Sequence, residues 1–464
     1  MKNVINKIIA TIIALVVVVG VLPTTTYSAS YDYRKCANLG VVVYELNTNQ
    51  VLTSQNADKR FFPGSITKVM TVLTAMDYID QLDVITVAEE ELDLVEPNSS
   101  LAGLMVGEEL TFGQLTYATL IPSGNDAARV MGVKAGRVIL ENPDAKADTS
   151  MKAFIKRMND KAKELGMKST SFANADGYDD EKNYSTPNDL VLLAKEALKN
   201  EFILDCVGRT SKYIETNKKT RTWRTTNMLM VEDFDMLHSS FRHGENPYYV
   251  DGVYGMKTGY TDEGGRCLLS VYKEPKEKDK DDNDDMCLIT VVLNIHEGGR
   301  DEVFSRSKDL IDFAHNNYST VDFINEDTEL IEKKVLNRGF WQDRTLNLVP
   351  AEDTKKTVER MLSEDYTYVF VPNDKVKLMD EDYNFKLAKN ISKDEIVGSM
   401  VFRKEGIEVH RINYCAENSY RKFGLIEIAI ILGSIIVAVF IAVNVSATIK
   451  DNKRKREIRN SAKK

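Results

Sequence analysis

Apolar positions along this chain change their spacing from segment to segment, and the changes predict its elements. Residues 8–21 are an unbroken apolar-to-neutral run behind Lys2 and Lys7, followed by the small residues Ser28, Ala29 and Ser30. A basic start, an apolar stretch too short for a comfortable span and a small-residue cleavage site predict an export signal over residues 1–30. Residues 39–46 and 51–52 read as a hairpin turning at 47–50. After a break at Pro63 and Gly64, the residues Val69, Met70, Val72, Leu73 and Met76 share one face. They predict an amphipathic helix that starts at Ser65 and carries Lys68 one turn on. Helical spacing returns over residues 111–121, 126–140, 151–165 and, behind Pro187, 188–198. Residues 250–261, 267–272 and 287–295 then read as strands. Between the last two, residues 273–285 are almost wholly charged and predict a solvated hairpin loop. A helix follows over 301–314, with Val303, Leu310, Ile311 and Phe313 apolar.

The pattern changes again near residues 318–321, where long helices give way to short runs such as 366–371 and 396–402. This places one sizeable domain at 31–320 and a small β-rich domain at 321–415. The small domain gathers no cluster of catalytic residue types, so spacer, docking module and weak polymer binder all stay open. Residues 425–445 are apolar except Glu427, Ser434 and Asn444, about the 20 residues that a helix needs to cross a hydrocarbon core. A transmembrane helix is expected at 424–446, with Glu427 at an edge where a carboxylate reaches headgroups. Ser434, Ala438 and Ala442 have helix-pairing spacing, although lipid-facing filler is the plainer reading. Lys450, Lys453, Arg454, Lys455, Arg456, Arg459, Lys463 and Lys464 follow at once, so the tail at 447–464 is expected to stay cytoplasmic and the bulk of the chain outside.

The formal net charge is −9 although the tail is strongly basic. The exported part is therefore acidic, which argues against a nucleic-acid partner. Five cysteines, at Cys36, Cys206, Cys267, Cys287 and Cys415, are too few and odd in number for an extracellular disulfide framework. Cys267 and Cys287 open successive strands; in an antiparallel hairpin those starts lie roughly 20 Å apart, whereas a bridge needs less than about 7 Å. All five are read as buried small hydrophobes. No histidine pair has ligand spacing, and neither HExxH nor CxxC occurs, so neither metal nor cofactor is expected.

Three short motifs carry the chemistry. Ser65 and Lys68 form a Ser-x-x-Lys pair, Ser123, Gly124 and Asn125 come second, and Lys257, Thr258 and Gly259 third. A serine hydroxyl is a poor nucleophile until a base takes its proton. Lys68 shares a helix face with Ser65 and can be that base once burial and a second cation, for which Lys257 is a candidate, lower its pKa. Singly, each motif is weak. Ser-x-x-Lys recurs at Ser270/Lys273, Ser305/Lys308, Ser419/Lys422 and Ser461/Lys464, the Ser123 segment could be a helix cap, and the Lys257 segment an exposed strand end. Together, in this order and each on the element its role requires, they predict acyl transfer through a covalent serine ester.

This constellation resembles the serine penicillin-recognising enzymes, and more closely the D-alanyl-D-alanine carboxypeptidases among the low-molecular-mass penicillin-binding proteins. The likeness runs from about Gly40 to Phe313 and includes residues 120–128, 184–186 and 251–265. It implies an α+β fold, an antiparallel sheet flanked by helices, ahead of the β-rich domain and the transmembrane helix. It implies Ser65 as the acylated nucleophile, Lys68 as general base and Ser123 as proton relay. Asn125 would hold the substrate amide, Lys257 and Thr258 its carboxylate, with Gly259 letting a substrate backbone lie close. Backbone N–H groups of Ser65 and Tyr260 would form the oxyanion hole, and Arg300 would add charge near the carboxylate. The implied substrate is a peptidoglycan stem peptide ending in D-Ala-D-Ala, with β-lactams as covalent inhibitors and membrane lipid as a partner of the C-terminal helix. Residues 174–178 lack the His-Gly common before the segment at Tyr184, and the charged loop at 273–285 is longer than usual. A spanning anchor replaces the amphipathic surface helix of many relatives and suits a Gram-positive cell. The alternatives are a β-lactamase or D,D-endopeptidase using the same pair, and a non-catalytic wall-binding relative. Against the first, no Glu-x-x-Leu-Asn stretch stands between Ser123 and Lys257.

Overall fold

The computed structural model describes residues 31, 38–236, 242–275, 286–324, 326–352, 354–359, 366–378, 384–404 and 406–461. The expected export signal, Cys36 and most of the charged loop at 273–285 lie outside the described residues. The chain divides into two compact units, one formed mainly by residues up to Asn317 and the other mainly from Tyr318 onward.

The larger unit is built on a five-stranded sheet in the order Gln50–Gln55, Gly40–Glu45, Cys287–Ile295, Gly265–Lys273, Val253–Thr261. The last three strands run antiparallel, with Thr258 opposite Leu268 and Ser270 opposite Thr290. Every residue of Cys287–Ile295 except Asn294 is buried, because helices Pro187–Ala197 and Glu302–Asn317 pack on this central strand. That explains its near-continuous apolar run, where a one-faced strand would alternate. Val253–Thr261, the strand of the third motif, is an edge strand. Cys267 and Cys287 stand at opposite ends of their pairing, Cys287 facing Lys273 while Cys267 faces Gly259. Both are buried, as are Cys206 and Cys415.

The helix after Ser65 departs from expectation. Thr67–Ala75 is buried on every side, not amphipathic, because helices Phe112–Leu120, Asn125–Ile139, Ala147–Glu164 and Pro187–Ala197 all pack around it. Its polar residues are therefore interior groups that need partners; Thr71 Oγ1, for example, donates to the Ala175 carbonyl at 2.5 Å. Helix Ala147–Glu164 begins four residues before the apolar pattern does, since its first turn is largely polar. Helix Glu201–Val207 and the hairpin Ser211–Glu215/Thr220–Arg224 carry no readable periodicity. Each hairpin strand buries a single side chain, Ile214 or Trp223.

The smaller unit holds a second five-stranded sheet, ordered Ile331–Lys334, Thr345–Pro350, Ile407–Ala416, Ile396–Lys404, Thr367–Pro372, and antiparallel throughout. Phe323, Leu346, Leu348, Phe385, Phe402 and Tyr414 form its core. Packing continues past residue 415: Tyr420 is buried and pairs with Ile391, and Arg338 pairs with Lys422. Helix Leu425–Ser461 follows without a linker. Among the described residues it is the one helix long and apolar enough to cross a membrane, and almost none of it is buried in the protein.

Candidate active site

Ser65 sits in a single 3-10 turn, Gly64–Ile66, that leads into the buried helix. Gly64 has φ +53°, a left-handed conformation that glycine adopts without strain. The turn aims Ser65 Oγ at Lys68, whose Nζ lies 2.7 Å away. Lys68 Nζ also reaches Asn125 Oδ1 and the Asp176 carbonyl, each at 2.7 Å. An ammonium donates to all three. A neutral amine keeps the last two as acceptors of its N–H groups and turns its lone pair to the Ser65 hydroxyl. The geometry therefore serves both protonation states.

Lys68 is fully buried. Burial pushes its pKa down from the ordinary lysine value to about 8; the Asp176 carboxylate opposes the fall and Arg129 adds to it. Arg129 is thus one cation that acts on Lys68. Lys257 is another: buried as well, it is held well below the ordinary lysine range first by burial and then by the charge of Lys68, and repulsion between two cations is mutual.

The second motif is not a side-chain cap. Helix Asn125–Ile139 starts at Gly124 with no side-chain capping bond. Ser123 takes φ +64°, and the Asn125 side chain is committed to Lys68. Asp126 gathers the neighbouring loop, accepting from the backbone N–H of Ala102, Gly103 and Leu104 at 2.8–3.0 Å. Gly124 has no room for more: an added Cβ would lie 2.7 Å from Ala102 Cβ and 2.8 Å from the Ala118 carbonyl.

The third motif packs its edge strand against the Ser65 turn. A Cβ on Gly259 would stand 2.9 Å from the Pro63 carbonyl and 3.2 Å from Ser65 N. This glycine thus brings the strand close to the serine turn itself. A Cβ on Gly64 would in turn be 3.4 Å from Tyr260 N, so the serine turn and the strand are in close backbone contact here. Lys257 Nζ donates to the Thr258 carbonyl at 2.9 Å, and the Thr258 and Thr226 hydroxyls bond at 2.5 Å.

Ser65, Ser123, Asn125, Thr258, Gly259, Tyr260 and Arg300 line one cavity of about 660 Å³. Lys68 lies beneath its floor at Ser65. Lys257 stands behind Thr258, in a narrow hollow it shares with Thr226 and Met256. Two residues that the motifs do not reveal complete the site. Asp176 supplies the carbonyl that holds Lys68, and its carboxylate, fully shielded, is gripped by Arg129 Nε at 2.6 Å and Nη2 at 3.1 Å. The sequence does hold a signal for Arg129: it lies one turn after Asn125, on the same helix face. Asp176 stands in the segment where the expected histidine is absent. Among the described residues no group of side chains could hold a metal ion.

The peptidase family S11, described as D-alanyl-D-alanine carboxypeptidase, matches residues 27–297. The chain is 27% identical over 389 residues to D-alanyl-D-alanine carboxypeptidase DacF of Bacillus subtilis, covering 83% of this chain and 86% of that one. It is 33% identical over 237 residues to the D-alanyl-D-alanine carboxypeptidase of Streptomyces sp. strain K15, covering 49% of this chain and 74% of the relative. Its fold is similar to that of penicillin binding protein 5 from Haemophilus influenzae, with a TM-score of 0.60 at 22% identity over 82% of this chain and 97% of the other. With the family match spanning more than half of its length, this chain belongs to the D-alanyl-D-alanine carboxypeptidases and is a serine-type hydrolase.

Proposed function

We propose that Ser65 is the nucleophile of this carboxypeptidase and Lys68 its general base. Neutral Lys68 takes the Ser65 proton as Oγ attacks the carbonyl of the penultimate D-alanine. The backbone N–H groups of Ser65 and Tyr260 receive the developing oxyanion. Ser123 passes a proton to the leaving amine, the C–N bond breaks, and terminal D-alanine departs. Water then hydrolyses the Ser65 ester. Thr258, with Lys257 behind it, binds the terminal carboxylate, and Arg300 adds charge at that end. Lys68 occupies Asn125 Oδ1, which leaves the Asn125 amide nitrogen for the substrate carbonyl. The observation that carries this reading is the 2.7 Å contact between Ser65 Oγ and an interior Lys68.

The substrate is a peptidoglycan stem peptide ending in D-Ala-D-Ala, and β-lactams acylate the same serine because carbonyl and carboxylate recur in them. Residues 1–30 are an export signal, 31–320 the catalytic domain, 321–415 the β-rich domain, 424–446 the span and 447–464 a cytoplasmic tail. The catalytic domain lies outside the membrane, an arrangement suited to a Gram-positive cell. Two measurements test the assignment. Penicillin should add its mass to the Ser65 peptide, and a diacetylated tripeptide ending in two D-alanines should release free D-alanine. Both should vanish in Ser65→Ala; an adduct elsewhere, or release by the Ser65→Ala variant, would overturn it.

A further inference from the structure

The smaller unit leaves a cluster of large apolar side chains in the open next to the first turn of helix Leu425–Ser461. Trp341 is 80% exposed, and Leu336 and Phe340 are exposed beside it. A tryptophan this uncovered is unusual on a surface that meets only water.

The segment is fixed to the chain entering the helix. Gly339 N donates to the Arg421 carbonyl at 3.0 Å, and Phe423 N to the Asn337 carbonyl at 2.7 Å. Arg421 N donates to Gln342 Oε1 at 2.7 Å. The Phe340 ring meets Phe423 edge-on at 5.6 Å and Trp341 at 6.3 Å. The absence of a side chain at Gly339 permits this approach, since a Cβ there would lie 2.8 Å from Glu427 Oε1. Glu427 itself folds back to accept from Gly424 N at 2.8 Å. The rings thus stand level with Phe423, two residues before the apolar run starts at Leu425. Residues 421–424 precede the helix, and at no more than about 3.6 Å per residue this is within about 7 Å of the start of the apolar run. Headgroup level is where tryptophan, apolar in body and polar at its N–H, is most at home. Arg421 and Lys422, both exposed, flank the rings, at the depth where lipid phosphates lie.

We propose that residues 336–342 are a membrane-interface binding site. Trp341 and Phe340 enter the headgroup layer of the leaflet where the helix begins, and Arg421 and Lys422 meet its phosphates. The β-rich unit is then seated on the bilayer as well as tethered to it. The inference rests on the reading of Leu425–Ser461 as a membrane span.

The chain has 2 tryptophans, so Trp223→Phe leaves Trp341 as the sole emitter. The full-length variant is reconstituted into lipid nanodiscs. Lipids brominated near the headgroup should quench Trp341 on the order of twofold more strongly than lipids brominated near the bilayer centre, and aqueous iodide should quench it weakly, as a headgroup position requires. Strong iodide quenching with none from either lipid would overturn the proposal. Quenching by neither would do so too, pointing to a second protein copy on this face. Should Trp223→Phe fail to fold, the difference between wild type and Trp341→Ser gives the same signal. If the span reading is wrong, the chain leaves the lipid in an alkaline carbonate wash, an outcome separate from an inserted helix with an iodide-accessible Trp341.

Discussion

Replacing Lys68 by methionine should abolish acylation yet change how stability depends on pH, and the size of that change follows from the structure. Lys68 is wholly interior, and its pKa falls from 10.5 in water to about 8, chiefly through burial. At about 1.4 kcal/mol per pH unit, that fall opposes folding by about 3 kcal/mol wherever both states carry the proton. The sign follows from proton counts. Below about pH 8 the amine is charged in folded and unfolded chains, and the full penalty applies. Between about 8 and 10.5 the unfolded chain holds the proton and the folded chain does not, so stability rises with pH; above 10.5 the penalty is gone. Lys68→Met also strands Asn125 Oδ1 and the Asp176 carbonyl, but that loss is the same at every pH and drops out of the slope. Lys257 reinforces the sign, because losing the Lys68 charge relieves its own depression. In a Trp341→Phe background, Trp223 reports urea unfolding of the catalytic unit alone. The wild type should gain about 3 kcal/mol on Lys68→Met between pH 7 and pH 10.5. A difference constant to within about 0.5 kcal/mol would refute the idea that Lys68 is held in a dry site.

Other consequences are open to measurement. Arg129→Met leaves the shielded Asp176 carboxylate unpaired and should destabilise the catalytic unit by about 3–5 kcal/mol in the same unfolding assay. Gly177 has φ +84°, and a Cβ there would lie 1.9 Å from the Gly64 carbonyl; Gly177→Ala should therefore displace the Ser65 turn and slow penicillin acylation by about 100-fold or more. Cys267 lies beside the cleft, but burial pushes its thiol up to about 12, so iodoacetamide at pH 8 should leave it unlabelled in the folded enzyme and label it in urea. Acylation by penicillin should rise with pH toward about 8, as Lys68 loses its proton, and a rate constant flat from pH 6 to pH 9 would contradict Lys68 as base.

What is legible in the sequence, and what is not, divides along physical lines. The strands of the main sheet and the long helices announce themselves because their buried faces are apolar at regular spacing. The reading of Thr67–Ala75 as amphipathic fails because threonine and lysine look solvated in a periodicity argument, yet here they are interior groups, Lys68 and Thr71 bonded to their surroundings and the Thr67 and Thr74 hydroxyls buried without a hydrogen-bond partner among the described residues. The three motifs are legible because each keeps its residues within a few positions. Asp176 is not, since its pairing with Arg129 joins segments 47 positions apart and it holds Lys68 through a carbonyl that every residue possesses. That Arg129 also bears on Lys68, alongside Lys257, likewise needs coordinates: spacing in a motif says nothing about which charges lie near one another in space.

The order of strands in the main sheet has a consequence for synthesis. Gly40–Glu45 finds its inner neighbour only in Cys287–Ile295, so the earliest strand made must wait for one of the last. Until residue 295 has emerged, Val41, Val42 and Val43, which end fully interior, have nowhere to go. A chain so wired resists maturing while still on the ribosome. That delay suits the proposed export, in which a polypeptide must stay loose enough to be threaded through a translocation pore before it can close.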